Sequence, residues 1–300
     1  MTYPPKLVLN SLFCCLTLIL VTSTRAQDYG MGAGDGQSTK AISLKYLQLD
    51  SEMNYASLER LYTEDATFLD PTGEVFDGPV AQGIVRGAKN IANLQRGWGL
   101  KAIQFEQDVS FYSGTYALHR GTYRAQFEGS DAWVEIPFVT VHQVVNGKVQ
   151  SRMDFGEYIQ SFGMGSSFDD TMKSTSSVAD KYIQAYLDED FDTQTALMDP
   201  SVTFQDPTAS AFGPGWGDPI HGSAALIENR RRVFQNIGDF GFDIEREFVS
   251  NHHNVIMGHV RYTTGDGSKY NQPAVFVVEV RDGKVTRHWD FVDYSVGPTP

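Results

Sequence analysis

The chain has 300 residues, 41% hydrophobic and 12% aromatic, which is room for about two packed domains and too apolar for wholesale disorder. Its formal net charge of −13 gives no electrostatic footprint for nucleic acid or anionic membranes. A small neutral or cationic partner fits this balance better.

Residues 1–26 read as an export signal. Lys6 precedes an apolar run from Leu7 to Val21, followed by Thr24 and Ala26 at plausible cleavage positions. The run is short for a bilayer span, and a retained anchor is the alternative. Cleavage removes Lys6 and Arg25, taking the net charge from −13 to −15. It also removes Cys14 and Cys15, so the mature chain would have no disulfide and no Cys-based chemistry. The expected location is secreted or periplasmic. Residues 27–40, rich in Gly and small polar residues, read as a flexible leader, and the similar stretch 163–177 as a linker. The domains are then 41–162 and 178–295.

Residues 39–65 carry apolar side chains at helical spacing, which predicts two helices with a break near Asn54. A short strand follows at Ala66–Asp70, then a helix over Gly87–Trp98, then four runs rich in β-branched and aromatic residues ending at Tyr158. Asn146-Gly147 and Asp282-Gly283 mark the last hairpin of each block. Helices followed by an antiparallel meander give an α+β fold with a curved sheet around a cone-shaped pocket.

The second block repeats the first. "DATFLDPT" from Asp65 is answered by "SVTFQDPT" from Ser201, and "NGKVQSRMDFGEY" from Asn146 by "DGKVTRHWDFVDY" from Asp282, both at an offset of 136. "LYTEDATFLDPTG", the Gly of "VRGAKNI" and the "DGKVTRHWDF" tail resemble the NTF2-like superfamily, nearest its SnoaL-like polyketide cyclases and ketosteroid isomerases. The resemblance covers both blocks, hence two NTF2-like, cone-shaped domains, and implies a cofactor-independent isomerase, cyclase or lyase acting on a small apolar carbonyl compound.

The resemblance implies roles as well. Asp70 and Asp206 match the isomerase general base. Tyr46 and Tyr182, each 24 residues earlier, match the tyrosine that donates to the developing enolate oxygen. The isomerase's protonated Asp would fall at Val139 and Val275, so that donor pair is incomplete. By strand alternation Arg152 and Asp154 share one face of the last strand, as do His288 and Asp290. Asp154 and Asp290 match the inward acid–base carboxylate of the cyclase branch. His288 with Asp290 could titrate near neutral pH, which makes the second block the fuller set. Arg152, Phe68 and Phe204 are candidate substrate contacts.

Plainer roles exist for each. Asp before Pro-Thr is a turn former, the tyrosines fit a helical core face, Arg152–Asp154 fits a structural ion pair, and Trp289 fits core or interface. His252 and His253 sit in a turn-like stretch expected to be solvated. No metal-ligand spacing or cofactor fingerprint occurs, so neither is assigned. Three functions stay open: an acid–base enzyme, a binder of a small apolar ligand, and a structural protein whose domains form an intramolecular pseudo-dimer. Converging Asp206 and His288 would favour the first, an empty apolar pocket the second, and an aromatic-filled one the third.

Overall fold

The computed structural model describes residues 33–76 and 83–299. The predicted export segment lies outside them. No helix among the described residues is long and apolar enough to cross a membrane.

The first domain opens with α1 (Ala33–Ser51) and α2 (Tyr55–Leu61), broken where Asn54 caps α2 by accepting from Ser57 N. Then come β1 (Tyr62–Leu69), a short 3-10 helix (Pro71–Val75), β2 (Val85–Arg86) and α3 (Ala88–Arg96). Four long strands follow: β3 (Leu100–Ser113), β4 (Tyr116–Phe127), β5 (Trp133–Val145) and β6 (Lys148–Gly156). A short α4 (Tyr158–Ser161) leads into α5 (Gly165–Leu187). The second domain repeats the plan with α6 (Phe191–Leu197), β7 (Met198–Gln205), a 3-10 helix (Pro207–Phe212), β8 (Ile220–His221) and α7 (Ser223–Phe234). Its long strands are β9 (Ile237–Ser250), β10 (His253–Thr264), β11 (Lys269–Arg281) and β12 (Lys284–Val292).

The strand orders are β2-β1-β6-β5-β4-β3 and β8-β7-β12-β11-β10-β9, two separate sheets of one topology. Each is mixed rather than wholly antiparallel, because β1 runs parallel to β6 and β7 parallel to β12. Three antiparallel reversals from β3 to β6 leave β6 opposite in sense to β3, and β1, parallel to β6, opposes β3 as well. The expected hairpins are present: Asn146 and Gly147 have φ of 51° and 73°, and Asp282 and Gly283 48° and 72°. Positive φ at both central residues is the turn that matches strand twist.

The cone comes from a bulge. The β3–β4 ladder slips between Gln107 and Val109 beside Gly121, and the β9–β10 ladder slips at Gly258. A Cβ on Gly121 would lie 2.1 Å from Glu106 O, and one on Gly258 1.9 Å from Asp243 O. Only glycine admits this approach, and the extra residue bends the strand.

Two stretches differ from expectation. The leader 27–40 gives way to helix at Ala33, and the linker 163–177 is helix from Gly165. Thr39 and its counterpart Thr175 are buried, so packing onto the concave faces overrides polar, Gly-rich composition.

The outer faces of the sheets pack against each other. Phe111, Leu118, Val139, Val141 and Phe155 meet Phe248, Met257, Val275, Trp289 and Phe291 in one core. Burial of each large side chain is worth about 1.5–3 kcal/mol. The rim is pseudo-symmetric. Glu74 of the first 3-10 helix reaches Asn251 and Arg281, while Ala211 of the second lies against Gly114. His253, expected in solvent, is 1% exposed in this seam, between Glu74 and Glu279.

Candidate functional site

The motif that ends β1 builds the first site. Asp70 caps the following 3-10 helix, its Oδ1 accepting from Thr72 Oγ1 and Gly73 N, both at 2.8 Å. Thr72 in turn accepts from Gly156 N, which ties the turn to the end of β6. Asp70 Oδ2 accepts from Tyr158 Oη at 2.6 Å. A carboxylate offers about four acceptor positions, so three donors leave one for a proton. Burial, and then the negative charge of Asp154, push the Asp70 pKa up to about 7. The second copy is built alike: Asp206 accepts from Thr208, Ala209 N and Tyr294, and burial and Asp290 raise it to about 7. The turn-forming role is therefore real in both copies, and it coexists with a carboxyl poised near neutrality.

The rest of the first site lies on β6. Arg152 Nε donates to Asp154 Oδ1 at 2.8 Å, and its Nη2 lies 2.6 Å from Oδ2. Thr140 Oγ1 also donates to Oδ1, at 2.6 Å. Burial pushes Asp154 up and Arg152 opposes it. Asp50 lies 3.6 Å from Arg152 Nη1 and accepts from Tyr123 Oη at 2.6 Å. Asp70, Arg152, Asp154 and Tyr158 share the wall of a cavity of about 830 Å³ lined by Phe76, Leu94, Trp98, Ile103, Phe127 and Phe138. That volume falls in the range of small-molecule sites.

Not every expected residue reaches it. Tyr46 is fully buried behind Arg152, accepting from Arg152 Nη1 and Gln95 Nε2, which leaves its proton for Tyr62 Oη at 2.8 Å. It supports the guanidinium and has no free donor for a substrate oxygen. Phe68 likewise backs Arg152, whose guanidinium carbon lies 5.4 Å from its ring centre, and is not on the wall. Val139 and Val275 point into the interdomain core. The pocket-facing neighbour in the first domain is Phe138, which is also apolar.

In the second domain the cavity is about 150 Å³. By strand pairing and helix register, Tyr186, Tyr262 and Phe276 stand where the first domain has Asp50, Ala125 and Thr140, and they fill the space. Phe204 and Asp206 are on its wall. The expected convergence of Asp206 and His288 is not formed. His288 is fully buried, with Nε2 2.7 Å from Asp290 Oδ1. Its Nδ1 accepts from Arg230 Nη2 at 2.9 Å, and Tyr182 Oη lies 3.2 Å away. Burial lowers the His288 pKa, so the ring is neutral. Tyr182 accepts from Arg230 and is as enclosed as Tyr46.

Sequence reasoning missed Tyr158 and Tyr294, although each closes the longest match between the copies. It also missed Asp50, Gln95 and Arg230, which act across elements and leave no local motif.

The SnoaL-like domain model matches residues 45–152 and 179–288. No curated protein matches the chain in sequence. Among solved structures, a protein assigned as a SnoaL-like polyketide cyclase from Shewanella putrefaciens is 22% identical, covering 40% of this chain and 90% of its own, with a TM-score of 0.37. An LEH-like epoxide hydrolase from M. tuberculosis is 20% identical over 41% of this chain and 86% of its own, with a TM-score of 0.35. An NTF2-like protein of unknown function from Burkholderia pseudomallei is 20% identical over 41% and 92%, with a TM-score of 0.37. With most of both sheets and well over half of the chain matched by the family model, the chain belongs to the SnoaL-like domain family and carries two copies of that domain.

Proposed function

We propose that the first domain is a cofactor-independent acid–base site for a small apolar carbonyl compound and that the second is chiefly its structural partner. One observation carries this reading: Asp70, raised to about 7, stands with the Arg152–Asp154 pair on the wall of a largely apolar cavity of about 830 Å³. A carboxyl of that pKa is about half protonated at neutral pH and can both take and return a proton. The unfilled position on Asp70 accepts the proton from a carbon beside the carbonyl. Arg152 supplies a fixed positive charge for the oxygen that becomes negative, in a dry site where such charges act strongly. Return of the proton to another carbon completes an isomerisation, with every atom conserved. The aromatic-filled cavity of the second domain supports a structural role there.

The test follows hydrogen–deuterium exchange beside the carbonyl of small cyclic ketones in D₂O by NMR. Asp70→Asn should lower the rate about a hundredfold or more, and Asp206→Asn should leave it unchanged. Equal losses, or an unchanged rate in Asp70→Asn, would refute this division of labour.

In the same reading the chain is exported and cleaved near Gln27, on the strength of the apolar run Leu7–Val21. An intact mass that retains residues 1–26 would instead mark an anchor.

A further inference from the structure

Behind the Asp154 carboxylate the first domain holds a line of side chains that the proposed chemistry does not use. Thr140 Oγ1 lies 3.3 Å from His142 Nε2. His142 Nδ1 lies 2.6 Å from Ser43 Oγ, and Ser43 Oγ lies 2.6 Å from His119 Nε2. His119 Nδ1 lies 2.8 Å from Ser110 Oγ, which accepts from Gln107 Nε2. Ser43, His119, Thr140 and His142 are 0% exposed, whereas Ser110 is half-buried and Gln107 is exposed. The line crosses the domain from the edge strand β3, through β4, α1 and β5, to Asp154 on β6.

Every proton position in it follows from its inner end. Asp154 accepts at both oxygens, so Thr140 is the donor. Thr140 then accepts from His142 Nε2–H, which leaves Nδ1 to accept from Ser43. Ser43 must accept from His119 Nε2–H, whose Nδ1 accepts from Ser110. Each member donates once and accepts once, and all point the same way. Both rings are neutral, since burial lowers His119 to about 4 and His142 well below its ordinary value.

The second domain is an internal control. At the positions of Ser43, His119, Thr140 and His142 it has Ala179, Ile256, Phe276 and Val278, all apolar and buried. The line exists only beside the large cavity. Burying two imidazoles and two hydroxyls costs free energy relative to such apolar residues unless every group is paired, and here they are paired end to end.

We propose that Ser110, His119, Ser43, His142 and Thr140 form a proton relay joining the enclosed Asp154 to solvent at the β3 edge. A proton taken from water by Ser110 Oγ sends the Ser110 proton to His119 Nδ1. His119 passes its Nε2 proton to Ser43, and Ser43 passes its own to His142 Nδ1. His142 gives its Nε2 proton to Thr140, and Thr140 delivers one to Asp154 Oδ1. One proton enters and one arrives, and only O–H and N–H bonds change. Both rings finish as the Nδ1–H tautomer, so the return of the proton along the same path resets the line. The relay's use in turnover rests on the acid–base reading of the cavity, but its existence can be tested without turnover.

The experiment is NMR of the full chain labelled with ¹⁵N-histidine, following the His119 and His142 ring N–H signals and their exchange with solvent at increasing low urea. The wild type should show the Nε2–H tautomer at both rings and ring exchange independent of urea, because relay exchange needs no opening. In Ser43→Ala, which installs the residue present at Ala179, His142 should lose that path. Its exchange should slow about tenfold or more and become urea-dependent, as exchange through opening is. His119, whose Nε2 proton leaves through Ser43, should slow with it, and Ser43→Thr should restore both rings. An Nδ1–H tautomer at either wild-type ring, or His142 exchange in Ser43→Ala that stays urea-independent, would overturn the relay. Intact relay exchange in a protein that fails the ketone assay would support the relay and end the acid–base reading.

Discussion

In the first domain the guanidinium beside the inward tyrosine comes from β6, as Arg152, and α3 opposite offers Gln95. In the second it comes from α7, as Arg230, and β12 offers His288. Arg152 Nη1 donates to Tyr46 Oη and Arg230 Nη2 to Tyr182 Oη, so one positive charge serves equivalent tyrosines from opposite walls. The element that supplies it changes everything around it. On β6 the arginine is two residues from Asp154 and forms a two-point pair at the cavity wall. On α7 it faces Tyr186, with 4.2 Å from guanidinium to ring centre, and leaves Asp290 beside a neutral imidazole. A buried charge can be kept while its use is exchanged, because the protein needs the charge neutralised but not from one direction.

The sharpest way to break this contrast is to remove each arginine. Arg152→Met should cost about 3–5 kcal/mol, since it leaves Asp154 and Asp50 buried without their cation. Arg230→Met should cost clearly less, because its contacts run to a hydroxyl, a neutral ring and aromatic faces. Urea unfolding of both variants checks this, and equal losses would mean that the two charges have equivalent surroundings.

The carboxyls at the turns should behave alike where the arginines differ. Asp70 and Asp206 are both raised from 3.8 to about 7. Between those values the folded chain holds a proton that the unfolded chain has released. Stability therefore falls as pH rises through that window, by up to about 1.4 kcal/mol per pH unit for each group, and levels off above it. Asn is neutral like the protonated carboxyl, and its Nδ2 donates to the Tyr158 or Tyr294 hydroxyl once that hydroxyl turns to accept, so Asp70→Asn and Asp206→Asn should each melt higher than wild type at pH 8, with little difference near pH 4. Equal gains in melting with unequal effects on ketone exchange would separate a carboxyl's environment from its use.

Moving the charge sharpens the same contrast. Gln95→Arg combined with Arg152→His gives the first domain the second domain's arrangement. The pair should be more stable than the sum of its single changes predicts, by about 0.5–3 kcal/mol of coupling. Additive losses would show that the two walls are independent.

The smallest effect belongs to the seam. Glu74→Ala removes a partly exposed contact with Arg281 and the bond to Asn251, and should cost about 1 kcal/mol or less. Raising the salt should shrink the loss further.

Much of the fold was legible because the chain states it twice. The repeated Asp-Pro-Thr, the Asn-Gly and Asp-Gly turns and the helical spacing before Asn54 each fix a local geometry, and agreement between copies doubles the signal. The helix over 163–177 was hidden, since its stability comes from buried residues such as Thr175 meeting a distant sheet. The parallel β1–β6 pair was hidden because register between strands far apart in sequence leaves no local trace. Asp70, Arg152 and Asp154 were found as types, but which copy has space around them depends on Ala125 against Tyr262 and Thr140 against Phe276. Those differences look like ordinary core variation until the pockets are formed. Ser43, His119 and His142 come from three elements and share no spacing.

The packing of the two sheets through Phe155, Trp289 and their neighbours has one more consequence. Where two identical chains pair, one coding sequence specifies both halves, and every substitution appears on both sides of the axis. Here α5 joins the halves into a single chain, so each half can change alone. One half can trade its cavity for aromatic side chains without closing the cavity of the other, while its outer face goes on shielding the partner sheet from water. Covalent fusion makes an obligatory symmetry optional, and the two interiors differ accordingly, one filled by aromatic side chains and the other open.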